Sequence, residues 1–172
     1  MKKIIILLIG IFVISGCSLF EDMNEIPVAY TTLYPFEYAT NYMFSSIGEV
    51  NSIYPSGADI NSYKLTDKQK DIYSKADIFV YSSLDDEVKL AVDFINNNSN
   101  LNIMDATKGL NYNKSIEELW LNPSNYLMVV RNIKNSLNEY EDNVYNQEKI
   151  DKLYDELKIK ISELDVEFTT MA

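Results

Sequence analysis

Residues Ser74–Glu87, "SKADIFVYSSLDDE", decide the fold. The centre of this stretch, Asp77–Ser83, is short, rich in aromatic and β-branched residues, and apolar at consecutive rather than alternate positions. A strand of that kind is buried on both faces, which is the habit of a parallel sheet. On its N-terminal side lies a polar helix, "TDKQKDIYSKA", with Thr66 placed to cap it. On its C-terminal side Asp85, Asp86 and Glu87 open an amphipathic helix, "DDEVKLAVDFINNN". The three acids read as complements to the positive end of its dipole.

Outward from this centre the alternation continues. "IPVAYTTL" from Ile26 reads as a strand, and "YPFEYATNYMFSSIG" as a helix with Pro35 in its first turn and Tyr34, Tyr38 and Tyr42 at every fourth position. "EVNSIYP" is a second strand that ends in a turn at Pro55-Ser56-Gly57, and "LNIMDAT" from Leu101 is a fourth. Strands and helices alternating at this spacing argue for βαβ crossovers. The expected fold is α/β: one lobe with a four-stranded parallel sheet flanked by helices. In such sheets ligands gather at the carboxyl ends of the strands, here the loops after Leu33, Tyr54, Tyr81 and Asp105.

From Pro123 the pattern becomes purely helical. Leu127, Val130, Ile133, Leu137 and Tyr140 keep one stripe, and Ile150, Leu153, Leu157, Ile161, Leu164 and Phe168 keep another. The polar run "NEYEDN" separates them. Both stripes are expected to pack against the lobe.

The N-terminus carries a different kind of signal. "MKK" precedes an apolar run, Ile4–Ile14, of about eleven residues, too short to span a bilayer core as a stable helix. It reads as an export signal. "ISGC", Ile14–Cys17, resembles the lipobox of bacterial lipoproteins, which implies diacylglyceryl attachment at Cys17, cleavage before it, and an extracytoplasmic, lipid-anchored protein. Cys17 is the single cysteine of the chain, so no internal disulfide is available. The formal net charge of −11 argues against nucleic acid as a partner. No nucleophile elbow, Cys/His pair or phosphate-cradling glycine loop is present, so an enzyme is not expected.

Taken in order, "VAYTTLYPFEYA", "YPSGADINSYKLTDKQ", "SKADIFVYSSLDDE" and "LWLNPSN" leading into a long helix resemble the solute-binding lipoproteins of zinc and manganese ABC importers. The resemblance runs from residue 26 to about 168. It implies an N-terminal lobe at 26–121 and linking helices at 122–172, after a signal peptide at 1–16 and a lipidated tether at 17–25. It also implies a second lobe absent from this chain, a membrane-tethered monomer, and an ABC permease as partner.

The resemblance also assigns the metal positions. Where the family reads Gly-Ala-Asp-Pro-His, this chain has Asn61; where it reads His-x-Trp-Leu-Asp-Pro, this chain has Glu118. The chain has no histidine. Asp59 and Tyr63 stand nearby as possible supporting residues, although Asp59 also suits a turn-forming role. Such an oxygen set favours Mn²⁺, Mg²⁺ or Ca²⁺ over Zn²⁺ and predicts weak binding. Two functions follow: a metal-ion receptor of the zinc/manganese class, truncated or degenerate, or a ligand-free interaction lipoprotein that docks a permease or another protein.

Overall fold

Strands β1 (Val28–Thr31), β2 (Glu49–Ser52), β3 (Ile78–Tyr81) and β4 (Asn102–Asp105) form a parallel sheet in the order β2-β1-β3-β4. The computed structural model describes residues 26–60, 62–84, 86–110 and 116–171, without the side chains of 116–118. The export signal, Cys17, the tether, Asn61, Asp85 and the Glu118 side chain therefore lie outside the described residues.

Helices α1 (Tyr34–Phe44), α2 (Asp67–Ser74) and α3 (Glu87–Asn97) join the four strands in turn. A 3₁₀ turn, Ile116–Leu121, leads into α4 (Pro123–Tyr140) and α5 (Val144–Met171). The central strand is buried on both faces, as its composition requires. Ile78 and Val80 join Ala29 and Met104 in a core covered by α1, α4 and α5. Phe79 joins Ile53, Ala91 and Phe94 in a second core under α2 and α3.

Local sequence explains the elements. In α1 Pro35 occupies the first turn, and Phe36, Ala39, Thr40, Met43 and Phe44 form the buried face. The tyrosine row lies on its outer side, with Tyr34 72% and Tyr38 42% exposed. Gly48 ends the turn after α1, where a Cβ would overlap the Phe44 ring and the Pro27 carbonyl oxygen. Thr66 caps α2, as expected, and Gln69 completes a capping box with it. Asp77, just before β3, ties three strands at their amino ends. Its Oδ2 accepts from the Val28 amide at 2.8 Å, and its carbonyl accepts from the Asn102 amide at 2.9 Å.

Helices α4 and α5 make an antiparallel hairpin. Asn122 caps α4 through the Asn125 amide at 3.1 Å, and Asn143 caps α5 through the Tyr145 amide at 2.9 Å. Gln147 Nε2 donates to the carbonyls of Asn138 and Glu141 at 3.0 and 2.6 Å, closing the end of α4. Helix α5, with 28 residues, is ten longer than α4, with 18. Its stripe is therefore covered only as far as Ile161. Leu164 and Phe168, expected against the lobe, are instead 51% and 64% exposed, because α5 there runs past the amino-terminal end of α4.

Tyr126 of α4 pins this hairpin to α1 by donating to the Pro35 carbonyl at 3.0 Å. Burial, reinforced by Tyr38 and Tyr34, pushes its phenol well above the ordinary range. The folded state thus resists ionisation that the unfolded chain undergoes near pH 10. The associated stability is complete below that pH and is lost as pH rises through the folded value. Tyr126→Phe should lower stability at neutral pH by about 1 kcal/mol. It should also make the alkaline decline shallower, though not flat, since burial raises Tyr30, Tyr81 and Tyr140 as well. Urea denaturation across the alkaline range checks both; equal slopes for the two proteins would contradict the assignment.

Candidate functional site

The chain leaves β1 for α1 and β2 on one side, and leaves β3 for α3 and β4 on the other. Adjacent strands whose exits diverge open a crevice at their carboxyl ends. Glu87 joins the ends of β1 and β3 there. This residue is 8% exposed, and its Oε2 accepts from Thr32 Oγ1 at 2.6 Å and from the Ser82 amide at 2.8 Å. Two charge-assisted bonds offset the cost of burying a carboxylate.

Glu87 stands in the first turn of α3, as read from the sequence, but it is buried there. Asp86 does point outward. It bonds the Lys89 ammonium at 2.8 Å, and that hydrogen bond holds its carboxyl below the usual range. Asp85 lies outside the described residues. Glu87 turns inward because it shares the buried face of α3 with Ala91 and Phe94. The spacing 87, 91, 94 was a readable signal for this role.

A second group of bonds joins the loops after β3 and β4. Asp105 Oδ1 accepts from Thr107 Oγ1 at 2.8 Å, from the Thr107 amide at 2.9 Å and from the Ser83 amide at 3.2 Å. Thr107 Oγ1 in turn accepts from the Ser83 amide at 3.0 Å. Asn132 of α4 donates to the carbonyls of Ala106 and Lys108 at 3.0 and 2.9 Å. These loops form a fixed shelf in which the Asp105 carboxylate is engaged by the protein itself.

The loop after β2 forms the outer wall. A crevice of about 460 Å³ lies between Thr32, Glu37, Ser52 and Tyr54 and the segment from Pro55 to Ile60. Gly57, at φ +79°, allows the turn closed by the Ala58 amide and the Pro55 carbonyl at 3.0 Å. The Asp59 carbonyl accepts from the amides of Ser62 and Tyr63 at 3.1 and 2.9 Å, and its Oδ2 accepts from Ser62 Oγ at 2.8 Å. Tyr63 meets Tyr54 edge-on at 5.8 Å, and its hydroxyl accepts from Gln69 Nε2 at 3.0 Å. Asp59 and Tyr63 thus shape the loop on either side of position 61.

The second expected donor position adjoins Leu119, which is fully buried, and Trp120, which packs on the same core. Asn61 and the Glu118 side chain themselves lie outside the described residues. Among the described residues, no three histidine, cysteine, aspartate or glutamate side chains come together as a metal cage. The available donors are oxygens, and those of Glu87 and Asp105 already hold the loops.

A parallel α/β lobe with its loops gathered at a strand switch point is the architecture of a cleft-type binding protein. Residues 29–172 match the family described as zinc-uptake complex component A, periplasmic (ZnuA), and the chain belongs to that family. The family is a periplasmic uptake component rather than an enzyme class. No curated protein matches the chain. Among solved structures, the metal-dependent lipoprotein YcdH of Bacillus subtilis superposes with a TM-score of 0.74 at 24% identity, covering 84% of this chain and 55% of its own. Zn(II)-bound AdcA of Streptococcus pneumoniae gives 0.73 at 20% identity, over 83% and 32%. A periplasmic metal-binding protein of Candidatus Liberibacter asiaticus gives 0.72 at 21% identity, over 84% and 56%. These likenesses establish the fold. The chain spans about half the length of YcdH and of the Liberibacter protein, and about a third of AdcA.

The buried bridge makes a quantitative expectation. Glu87→Ala should cost about 3 kcal/mol, and Thr32→Val about 1 kcal/mol. The double variant should fall short of their sum by at least about 1 kcal/mol, since both changes remove one bond. Urea denaturation of the four proteins measures this. Simple additivity would show that the 2.6 Å contact does not couple the strands.

Proposed function

We propose that this chain is an extracytoplasmic metal-ion-binding receptor of an ABC importer of the zinc/manganese class. The carrying observation is the family match over residues 29–172, which takes in every element of the lobe and both loops that hold the aligned donor positions. In this reading a lipid on Cys17 tethers the lobe beside its permease. Each buried methylene of the acyl chains contributes roughly 0.8 kcal/mol to the anchor. Residues 17–25 form the leash, 26–121 the binding lobe and 122–172 the linking helices.

The cation is cargo. The amide oxygen of Asn61 and the carboxylate of Glu118 take it at the crevice, on loops shaped by Asp59 and Tyr63. The Glu87 bridge keeps the strand ends in register beneath them. An oxygen set without imidazole or thiolate selects hard ions, so Mn²⁺ is preferred to Zn²⁺. Two such donors give weak capture, with a dissociation constant of roughly 10⁻⁴ M or above.

Titration calorimetry of the purified chain tests the proposal. Mn²⁺ should give a weak saturable heat that Glu118→Ala abolishes without moving the urea midpoint. Flat traces for both Mn²⁺ and Zn²⁺ would overturn it and leave the ligand-free interaction lipoprotein as the reading.

A further inference from the structure

The crevice beside the loop after β2 takes its described walls entirely from residues 32–60, and among them Glu37 is the one charged side chain. Glu37 stands in the first turn of α1, three residues beyond Tyr34, which lines the same crevice. It is half-buried, and among the described residues it takes part in no hydrogen bond or ion pair.

The other acids near the strand ends are engaged. Glu87 accepts from Thr32 and Ser82, Asp105 from Thr107 and Ser83, Asp59 from Ser62, and Asp86 from Lys89. Two crevice hydroxyls are committed in the same way. Thr32 donates to Glu87, and Ser52 Oγ accepts from the Tyr54 amide at 3.1 Å. The positive end of α1 offsets part of the cost of the Glu37 charge. An acid that serves only a helix dipole belongs in solvent, however, as Asp86 does with its side chain 93% exposed. Glu37 instead shares a pocket with the segment from Pro55 to Ile60.

A half-enclosed pocket walled by one sign of charge concentrates cations. An unpaired carboxylate there regains through the cation the partner that burial took away. Carboxylate oxygen selects hard divalent ions. A volume of about 460 Å³ lets such an ion keep much of its water, the usual state of Mg²⁺ held by one or two carboxylates. Ile60, which precedes the aligned position Asn61 in the chain, lines the same pocket.

We propose that Glu37 is a further ligand for the cation, taking the ion in partly hydrated form. Resting on the receptor reading above, this role adds a carboxylate beyond the two aligned positions.

The test titrates the full chain in detergent with Mn²⁺ alone. Calorimetry follows binding, and solvent-proton relaxation rises where bound Mn²⁺ retains water. Glu37→Gln should weaken the wild-type affinity roughly tenfold or more, since ligand charge sets affinity in oxygen sites of this kind. Glu37→Asp should recover part of it, with circular dichroism unchanged in both. Glu163→Gln removes the same charge from an exposed position on α5 that is not part of the crevice wall, and should bind as the wild type does. If Glu37→Gln binds Mn²⁺ as tightly as the wild type while Glu118→Ala does not, the receptor reading stands and Glu37 only complements the α1 dipole. Equal weakening by Glu37→Gln and Glu163→Gln would reduce the effect to net charge and defeat the proposal. Heat without relaxation enhancement would mean an ion held without water, which also contradicts it. A wild type that shows neither signal would sink the receptor reading and the Glu37 role together.

Discussion

Glu87 carries a charge into the one place where this fold has least material to spare, the gap between diverging strands at the top of the sheet. Its carboxylate receives the Thr32 hydroxyl from the end of β1 and the Ser82 amide from the end of β3. The bridge adds a side-chain tie to the backbone ladder at the point where both strands leave the sheet. Thr32 still donates its amide to Val80 at 3.2 Å, and Ala106 continues the ladder to Tyr81 at 2.9 Å, so the bridge lies at the last point of order. Remove it, and the loops that border the crevice lose their common support.

That support explains how acids are distributed around the site. Asp105 stitches the β3 and β4 loops, Asp59 folds its own turn, and Asp86 pairs outward with Lys89. A carboxylate that accepts several protein hydrogen bonds is held in place by them, and using it for a cation would mean breaking those bonds. Asp105, Asp59 and Asp86 thus serve the frame of the loops they stand on.

Much of the fold was legible because its signals are local. A run such as Ile78-Phe79-Val80 is apolar at every position, and only a central strand of a layered sheet uses it. Thr66 announced its N-cap, and Gly57 its turn. What could not be read were choices made by distant packing. Among Asp85, Asp86 and Glu87 the spacing of Glu87 to Ala91 and Phe94 marks it for the buried face, but not the Thr32 and Ser82 partners it meets there. The stripe on α5 looked continuous, yet its burial stops at the amino-terminal end of α4, a limit set by the relative lengths of two helices. At the site, Asp59 was legible both as a neighbour of the donor position and as a turn former, whereas Tyr63 was legible only as a neighbour. Their bonds to Ser62 and Gln69 depend on geometry that spacing alone does not express.

Amide hydrogen exchange at Ser82 tests the central role of Glu87 most directly. In the wild-type protein this amide should exchange as slowly as those of the central strands, since a buried carboxylate holds it. With Glu87→Gln its protection should drop toward that of an open loop, while Ala29 and Phe79 in the sheet stay protected. If Ser82 exchanges freely in the wild type, or is equally protected after the substitution, the bridge between β1 and β3 does not organise this end of the molecule.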